Sequence, residues 1–489
     1  MSNKLNALIS WLKHNSFLAF AIIVIINLVF RLIGTDESSI YLDEAQTMFQ
    51  AKRPLAEIIE EYVKKQQNAP LYFLILHFWI KTIGLSVFKV RFFSVIMMSL
   101  AAGMFYKLAQ KIVSVPFAIG ASLLFLGVDD FMNFAHEARG YALIAFLAVS
   151  SFYLLFSAIA QNKSKYLMWL IIPNLALLFT HYLTIYIFPV QFLIMLIWVL
   201  INKNWTQFKT YILSQVVVVI GFAPWLQVVF SVMPEKGEFW ISEPTWNLLK
   251  NNYYYLVNGR KKTHILFWFI SIATIAWIAQ VKNRNAKPII YLVGLALWAF
   301  IPVITNYFIG FHIPVFLAKY TFYASFGFVM LVGLLIYNFP ITKWGKAALF
   351  MTAAIVNFNG LNFKSNKNEN WKDGVEYIKT LEKNESTIIF GQRSYVYKAF
   401  CIYYDFETFK NSDNIYKSLE QDKIFFKEQI EELNKLEQKH QPEKIIFLRS
   451  HWKGSDPNGT LKKYLDNNYH LISENTDYQK LEIYEYLKN

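Results

Sequence analysis

Two adjacent carboxylates, Asp43 and Glu44, stand in the stretch Ile40-Tyr41-Leu42-Asp43-Glu44-Ala45, shortly after the first apolar run. A carboxylate within hydrogen-bond reach of a hydroxyl can take its proton as that hydroxyl attacks carbon. Acidic residues also begin helices, and Ala45 to Ala51 reads as helical, so a solvated helix start is the competing reading. A second polar group, Asp129-Asp130-Phe131-Met132-Asn133-Phe134-Ala135-His136-Glu137-Ala138-Arg139-Gly140-Tyr141, joins two apolar runs. Ionisable groups at such a boundary are costly and are paired or functional. Arg139 fits either a bound anion or a structural partner such as Glu137 or a helix end, and both readings stand. His181-Tyr182 is a weaker candidate, because a lone boundary histidine is more often a packing residue. Lys319-Tyr320 lies a turn into a later apolar run, where a lysine either snorkels to headgroups or binds an anion. His136, Glu137, Asp43 and Glu44 are compatible with a divalent cation but lack the spacing of a zinc helix. No cofactor is required, and the metal is left unassigned.

The elements that position these residues follow from composition. Of 489 residues, 55% are hydrophobic and 18% aromatic. Most of that excess precedes residue 360, in runs near the roughly twenty residues that cross a bilayer. The expected spans are 17–34, 88–107, 112–128, 141–160, 166–181, 183–201, 209–230, 264–281, 288–309, 314–337 and 346–361. The first run ends without a small-residue cleavage site and reads as a retained anchor. The net charge of +14 would suggest nucleic acid in a soluble domain. Here the lysines sit largely in short loops, where they set topology, so a nucleic-acid partner is excluded. One cysteine, Cys401, excludes an internal disulfide, and neither a Walker loop nor a dinucleotide fingerprint is present.

Loop charge assigns sides. Lys107/Lys111, Lys163/Lys165, Lys203/Lys209, Lys282/Arg284/Lys287 and Lys343/Lys346 mark one set of loops, expected to be cytoplasmic with Lys4 and Lys13. An even number of crossings must then separate Lys13 from Lys107. The short apolar segment 70–84 is therefore expected along the membrane surface, not through it. Residues 35–87 become one exoplasmic loop carrying Asp43 and Glu44. Residues 129–140, the 231–263 loop and the C-terminal region fall on the same side. In the 231–263 loop, Glu235, Lys236, Glu238, Glu243, Arg260, Lys261 and Lys262 read as solvated, and Trp240 and Trp246 as interface anchors or sugar-stacking faces. The fold class is thus a polytopic α-helical membrane protein of about eleven spans with a cytoplasmic N-terminus. Its transmembrane domain is 1–363. Residues 364–489 form an exoplasmic α/β domain, with strands at 387–390 and 444–448 and helical segments at 371–381 and 414–438.

These polar groups suit a donor with a lipid tail and an anionic phosphate. Asp43 would take the proton of an acceptor hydroxyl as it attacks the anomeric carbon. Arg139, with Lys319, would hold the departing phosphate. A transporter of lipid-linked sugars or polysaccharide is the alternative, but transporters tend to place ionisable groups at the midplane between repeated halves. A membrane module that only presents its C-terminal domain is a third reading.

The chain resembles the polyprenyl-phosphate-sugar-dependent glycosyltransferases of the GT-C fold. Within these it is most similar to the family 39 group, related to protein O-mannosyltransferases and the aminoarabinose transferases of lipid A. The resemblance rests on YLDEA at 41–45, NAPLYFLILHFW at 68–79, VRFF at 90–93, HEARGYAL at 136–143, THY at 180–182, APW at 223–225 and WKDGVEYI at 371–378, in the family's order. It implies a catalytic carboxylate at Asp43 with Glu44 beside it, a juxtamembrane helix at 70–84, and Arg139 as the arginine of the family's EARxY segment. His136, Glu137, His181, Tyr182, Lys319 and Tyr320 are the further candidates for binding the donor phosphate or substrate. Lys319-Tyr320 stands where relatives often carry Arg-Tyr, which keeps a cation but loses the bidentate fork. The resemblance implies an integral-membrane enzyme of the cell membrane that transfers a sugar from a polyprenyl-phosphate donor to an exoplasmic acceptor hydroxyl on protein, lipid or glycan, with inversion. Accessibility tags placed after Lys163 and after Asn489 are expected to report opposite sides of the membrane. A same-side result contradicts the crossing count.

Overall fold

Apolar runs of these lengths can satisfy their backbone polar groups in hydrocarbon only within helices, and the chain is helical through most of its length before Phe358. The computed structural model describes residues 2–65, 68–231, 241–256, 286–359, 361, 363 and 369–489. Among the described residues, five helices are long and apolar enough to cross a bilayer: Val87–Ile112, Tyr141–Gln161, Tyr182–Asn202, Trp205–Ser231 and Ile289–Gly310. Val115–Leu126 and Asp129–Ala135 form a pair bent by 68°, a sixth if the pair is one span. Ser16–Leu32, Lys165–Thr180 and Ala324–Asn338 are shorter apolar helices, as is Pro70–Ile83, which coincides with the expected 70–84 segment. The expected span at 264–281 lies outside the described residues, as do Glu235, Lys236, Glu238, Trp240, Arg260, Lys261 and Lys262.

Two expectations are corrected. The run 314–337 is helical only from Ala324. Pro314 has no N–H for a helical hydrogen bond, and the chain from there runs irregularly through a 3-10 turn at Ala318–Tyr320. Lys319 and Tyr320 therefore precede the helix and do not sit a turn inside it. The segment 414–438 is not continuously helical. Helices Ile415–Gln421 and Ile430–His440 flank a strand, Ile424–Lys427, whose Ile-Phe-Phe run lies parallel to a neighbouring buried strand. Lys423, at φ 59°, makes the turn into it.

Packing divides the chain into two units: Met1–Ile33, Leu55–Leu76 and Arg91–Asn362 in the first, Gly34–Pro54, His77–Val90 and Phe363–Asn489 in the second. In the first, a buried polar quartet fixes the helices that carry His181 and its neighbours. Ser151 Oγ donates to Asn174 Oδ1 at 2.6 Å. Asn174 Nδ2 donates to Gln191 Oε1 at 2.8 Å and to Gln215 Oε1 at 3.1 Å. Gln191 Nε2 closes the set on Ser151 Oγ at 2.6 Å. Four helices are so joined by side chains that have no cheaper partner in an apolar interior. At the bend after Leu126, Gly127 admits the close approach of Asn357, whose Cβ a Cβ there would meet at 2.8 Å.

The second unit holds a five-stranded sheet of β1 (Thr387–Gln392), β2 (Ile424–Lys427), β3 (Lys444–Ser450), β4 (Tyr469–Tyr478) and β5 (Leu481–Lys488), in the order β2-β1-β3-β5-β4. β1 is parallel to β2 and β3, and β5 is antiparallel to β3 and β4. β1 is buried along its whole length, as a parallel strand covered on both faces must be. Ile388, Phe390, Phe425, Ile445 and Phe447 form the core of one face.

Candidate functional site

The predicted site residues fall in both units, and each part is built differently. In the second unit Asp43 and Glu44 begin the helix Leu42–Ala51. Glu44 is buried, and its carboxylate accepts the Tyr41 N–H at 2.9 Å, capping the helix start. Such a cap satisfies a donor that the helix leaves without an internal partner. Asp43, one residue earlier, is only partly buried, and Thr47 Oγ1 donates to its carbonyl at 2.7 Å. The neighbours have thus separated: Glu44 caps the backbone of the first turn, while Asp43 stands half-buried in that same turn.

That turn is held by groups far away in sequence. The Ile40 N–H donates to Tyr403 Oη at 2.7 Å. The Lys372 N–H donates to Ser39 Oγ at 3.2 Å and its Nζ to the Asp36 carbonyl at 3.0 Å. At the helix's other end, Lys52 Nζ donates to the carbonyls of Phe409, Lys410 and Ser412, and His77 Nδ1 to that of Ala51 at 2.9 Å. Lys52, Arg53 and Lys398 surround the Phe49 ring at 5.3, 5.6 and 5.1 Å. Tyr403 and Lys398 carried no sequence signal. Lys372 lay inside WKDGVEYI, and its role is to grip the segment that leads into YLDEA.

In the first unit, three motif segments and Tyr320 converge on one cavity of about 190 Å³, lined among others by Asn68, Tyr72, Arg139, His181, Tyr182 and Tyr320. Asn68 and Tyr72 come from the start of NAPLYF. Arg139 comes from the irregular residues between Ala135 and the helix Tyr141–Gln161, and His181 and Tyr182 from the break after Thr180. Trp225 of APW supports the wall: its Nε1 donates to Tyr182 Oη at 3.0 Å, and Tyr182 in turn donates to the Asn68 carbonyl at 3.1 Å. Phe93 of VRFF packs on Tyr72 at 6.1 Å. Trp225 and Phe93 brace the cavity wall, and with Tyr72 they carried no signal in the sequence beyond membership of the ordered motifs.

His181 is a neutral donor here. Its Nδ1 accepts the Leu183 N–H at 3.2 Å, which leaves the proton on Nε2. Its ring lies 5.2 Å from that of Tyr320. The cavity thus offers a guanidinium, a neutral imidazole and phenols, a donor set suited to an anion with several oxygens. His136 and Glu137 are held elsewhere. His136 is buried and its Nε2 donates to the Arg31 carbonyl at 2.7 Å, while the Glu137 carbonyl accepts from Ser94 Oγ at 2.6 Å. Lys319 lines a second, larger cavity. Among the described residues, no three His, Cys, Asp or Glu side chains are grouped as metal ligands.

Residues 67–227 match the family described as Dolichyl-phosphate-mannose-protein mannosyltransferase, a stretch that holds Arg139, His181, Tyr182 and Trp225. Among solved structures, the chain is similar to ArnT from Cupriavidus metallidurans in the apo state, with a TM-score of 0.59 and 12% identity over 95% of this chain and 97% of that one. It is similar to ArnT of the same organism bound to undecaprenyl phosphate, with a TM-score of 0.56 and 10% identity over 96% and 97% of the two chains. No curated protein matches the chain in sequence. The resemblance read from the ordered motifs is borne out: the family match covers the central motifs, and the ArnT fold extends over nearly the whole chain.

Proposed function

We propose that the chain is an integral-membrane glycosyltransferase that moves a sugar from a polyprenyl-phosphate donor to an acceptor hydroxyl on the exoplasmic side. The observation that carries this reading is the convergence of NAPLYF, EARGY and THY residues on one anion-suited cavity in the first unit, braced by Trp225 of APW through Tyr182. The neighbouring ArnT structure bound to undecaprenyl phosphate supports a lipid phosphate as the ligand class. The loop-charge pattern supports a cytoplasmic N-terminus, with the 70–84 helix along the outer surface and the C-terminal domain exoplasmic.

In the proposed reaction Asp43 accepts the acceptor's hydroxyl proton while the hydroxyl oxygen bonds to the anomeric carbon. The bond from that carbon to the phosphate oxygen breaks, its electron pair leaves with the polyprenyl phosphate, and the anomeric centre inverts. Arg139, the His181 Nε2–H and Tyr320 offset the charge gathered on the phosphate. No nucleotide is needed, because the sugar–phosphate bond is already activated. Glu44 is a positioning residue that fixes the turn presenting Asp43.

Asp43→Asn keeps the shape of the turn and removes the base. Sugar transfer from lipid-linked donor is expected to fall by about a hundredfold or more, with unchanged expression and thermal unfolding. Wild-type transfer rates in a folded Asp43→Asn protein contradict the base assignment.

A further inference from the structure

A second cavity, of about 430 Å³, is lined among others by Asp130, Phe134, Asn252, Phe316 and Lys319. Asn252 belongs to the helix Trp246–Leu256 and is 2% exposed, yet neither its Oδ1 nor its Nδ2 has a hydrogen-bond partner. Burying a carboxamide in this state is costly unless a ligand completes it. The two cavities share a wall. Lys319 and Tyr320 are consecutive residues of one 3-10 turn, and they line the larger and the smaller cavity respectively. Phe134 of the larger cavity packs against Tyr141 of the smaller, with ring centroids 4.8 Å apart.

We propose that this cavity is the sugar subsite of the donor and that Asn252 reads the sugar's hydroxyls. The proposal rests on the glycosyltransferase reading and names what lies beside its phosphate cavity. A carboxamide both donates and accepts, as each sugar hydroxyl does. A phosphate, which only accepts, would use only its NH2, and a hydrocarbon tail would use neither group. Phe134 and Phe316 offer apolar surface to the C–H face of a pyranose ring, and Asp130 supplies a further acceptor. Lys319 places a cation on the wall toward the phosphate. A sugar joined to a phosphate therefore finds hydroxyl-reading groups on one side of the turn and anion-binding groups on the other.

The test uses full-length protein in nanodiscs, titrated with undecaprenyl phosphate and with undecaprenyl-phosphate-linked mannose, glucose, galactose and arabinose. Wild type is expected to bind at least one sugar-bearing lipid more tightly than the bare phosphate. Asn252→Leu is expected to reduce that advantage by about tenfold and to leave bare undecaprenyl phosphate within about twofold. Because the substitution replaces an unpartnered buried amide with an apolar group of similar volume, thermal stability is expected to hold or rise. If Asn252→Leu does not fold, Asn252→Ala is read in the same titration. A folded variant that keeps the full sugar advantage overturns the proposal, as does one that weakens bare phosphate equally. Wild-type binding that ignores the sugar also overturns it while leaving the phosphate cavity intact. A wild type that binds none of these lipids overturns the glycosyltransferase reading together with it.

Discussion

An apolar helix cannot break without finding partners for the backbone groups it frees, and the first unit is organised around that constraint. Its helices break between Ala135 and Tyr141, between Thr180 and Tyr182, and before Ala324. Each break brings polar side chains with it: Arg139 at the first, His181 and Tyr182 at the second, Lys319 and Tyr320 at the third. His181 shows how a break is closed, since the imidazole caps the following turn through Nδ1 and keeps Nε2–H for the cavity. From the same break, Tyr182 satisfies the Asn68 carbonyl and accepts from Trp225, shaping a wall of the cavity. The same groups that make irregular backbone tolerable give the cavities their chemistry.

The second unit meets a different demand, which is to hold a carboxylate at the first turn of a short helix. The helix Leu42–Ala51 is too short to be stable by itself. Its ends are tied by Tyr403, Lys372, Lys52 and His77, and Glu44 completes the cap. The sheet and its helices thereby serve a stretch more than three hundred positions earlier. Packing accordingly groups residues 34–54 and 77–90 with the C-terminal region.

The helical character and the motif residues were legible in the sequence because both depend on local pattern: run length for the first, residue type and order for the second. Hydropathy missed the start of the helix at Ala324, since Val315, Phe316, Leu317, Phe322 and their neighbours continue the apolar run ahead of it. The four-residue strand Ile424–Lys427 was hidden between two amphipathic helices, and β4 and β5 were missed because they alternate with charged and polar residues. The division of labour between Asp43 and Glu44 was half visible: two acids at a helix start are common, but only the 2.9 Å contact to Tyr41 says which one caps. Asn252 was invisible, because an asparagine in Asn-Asn-Tyr-Tyr-Tyr carries no pattern. Its burial without partners is a tertiary fact.

The central claim is that the cavity joining the ordered motifs binds a lipid-linked phosphate. Photo-cross-linking tests it most directly, using undecaprenyl phosphate that carries a diazirine beside the phosphate, full-length protein in nanodiscs and peptide mass spectrometry. Expected are adducts on the peptides containing Tyr72, Arg139, Tyr182 and Tyr320, competed away by unlabelled undecaprenyl phosphate. Adducts that resist competition, or that fall only on peptides outside these segments, contradict the claim.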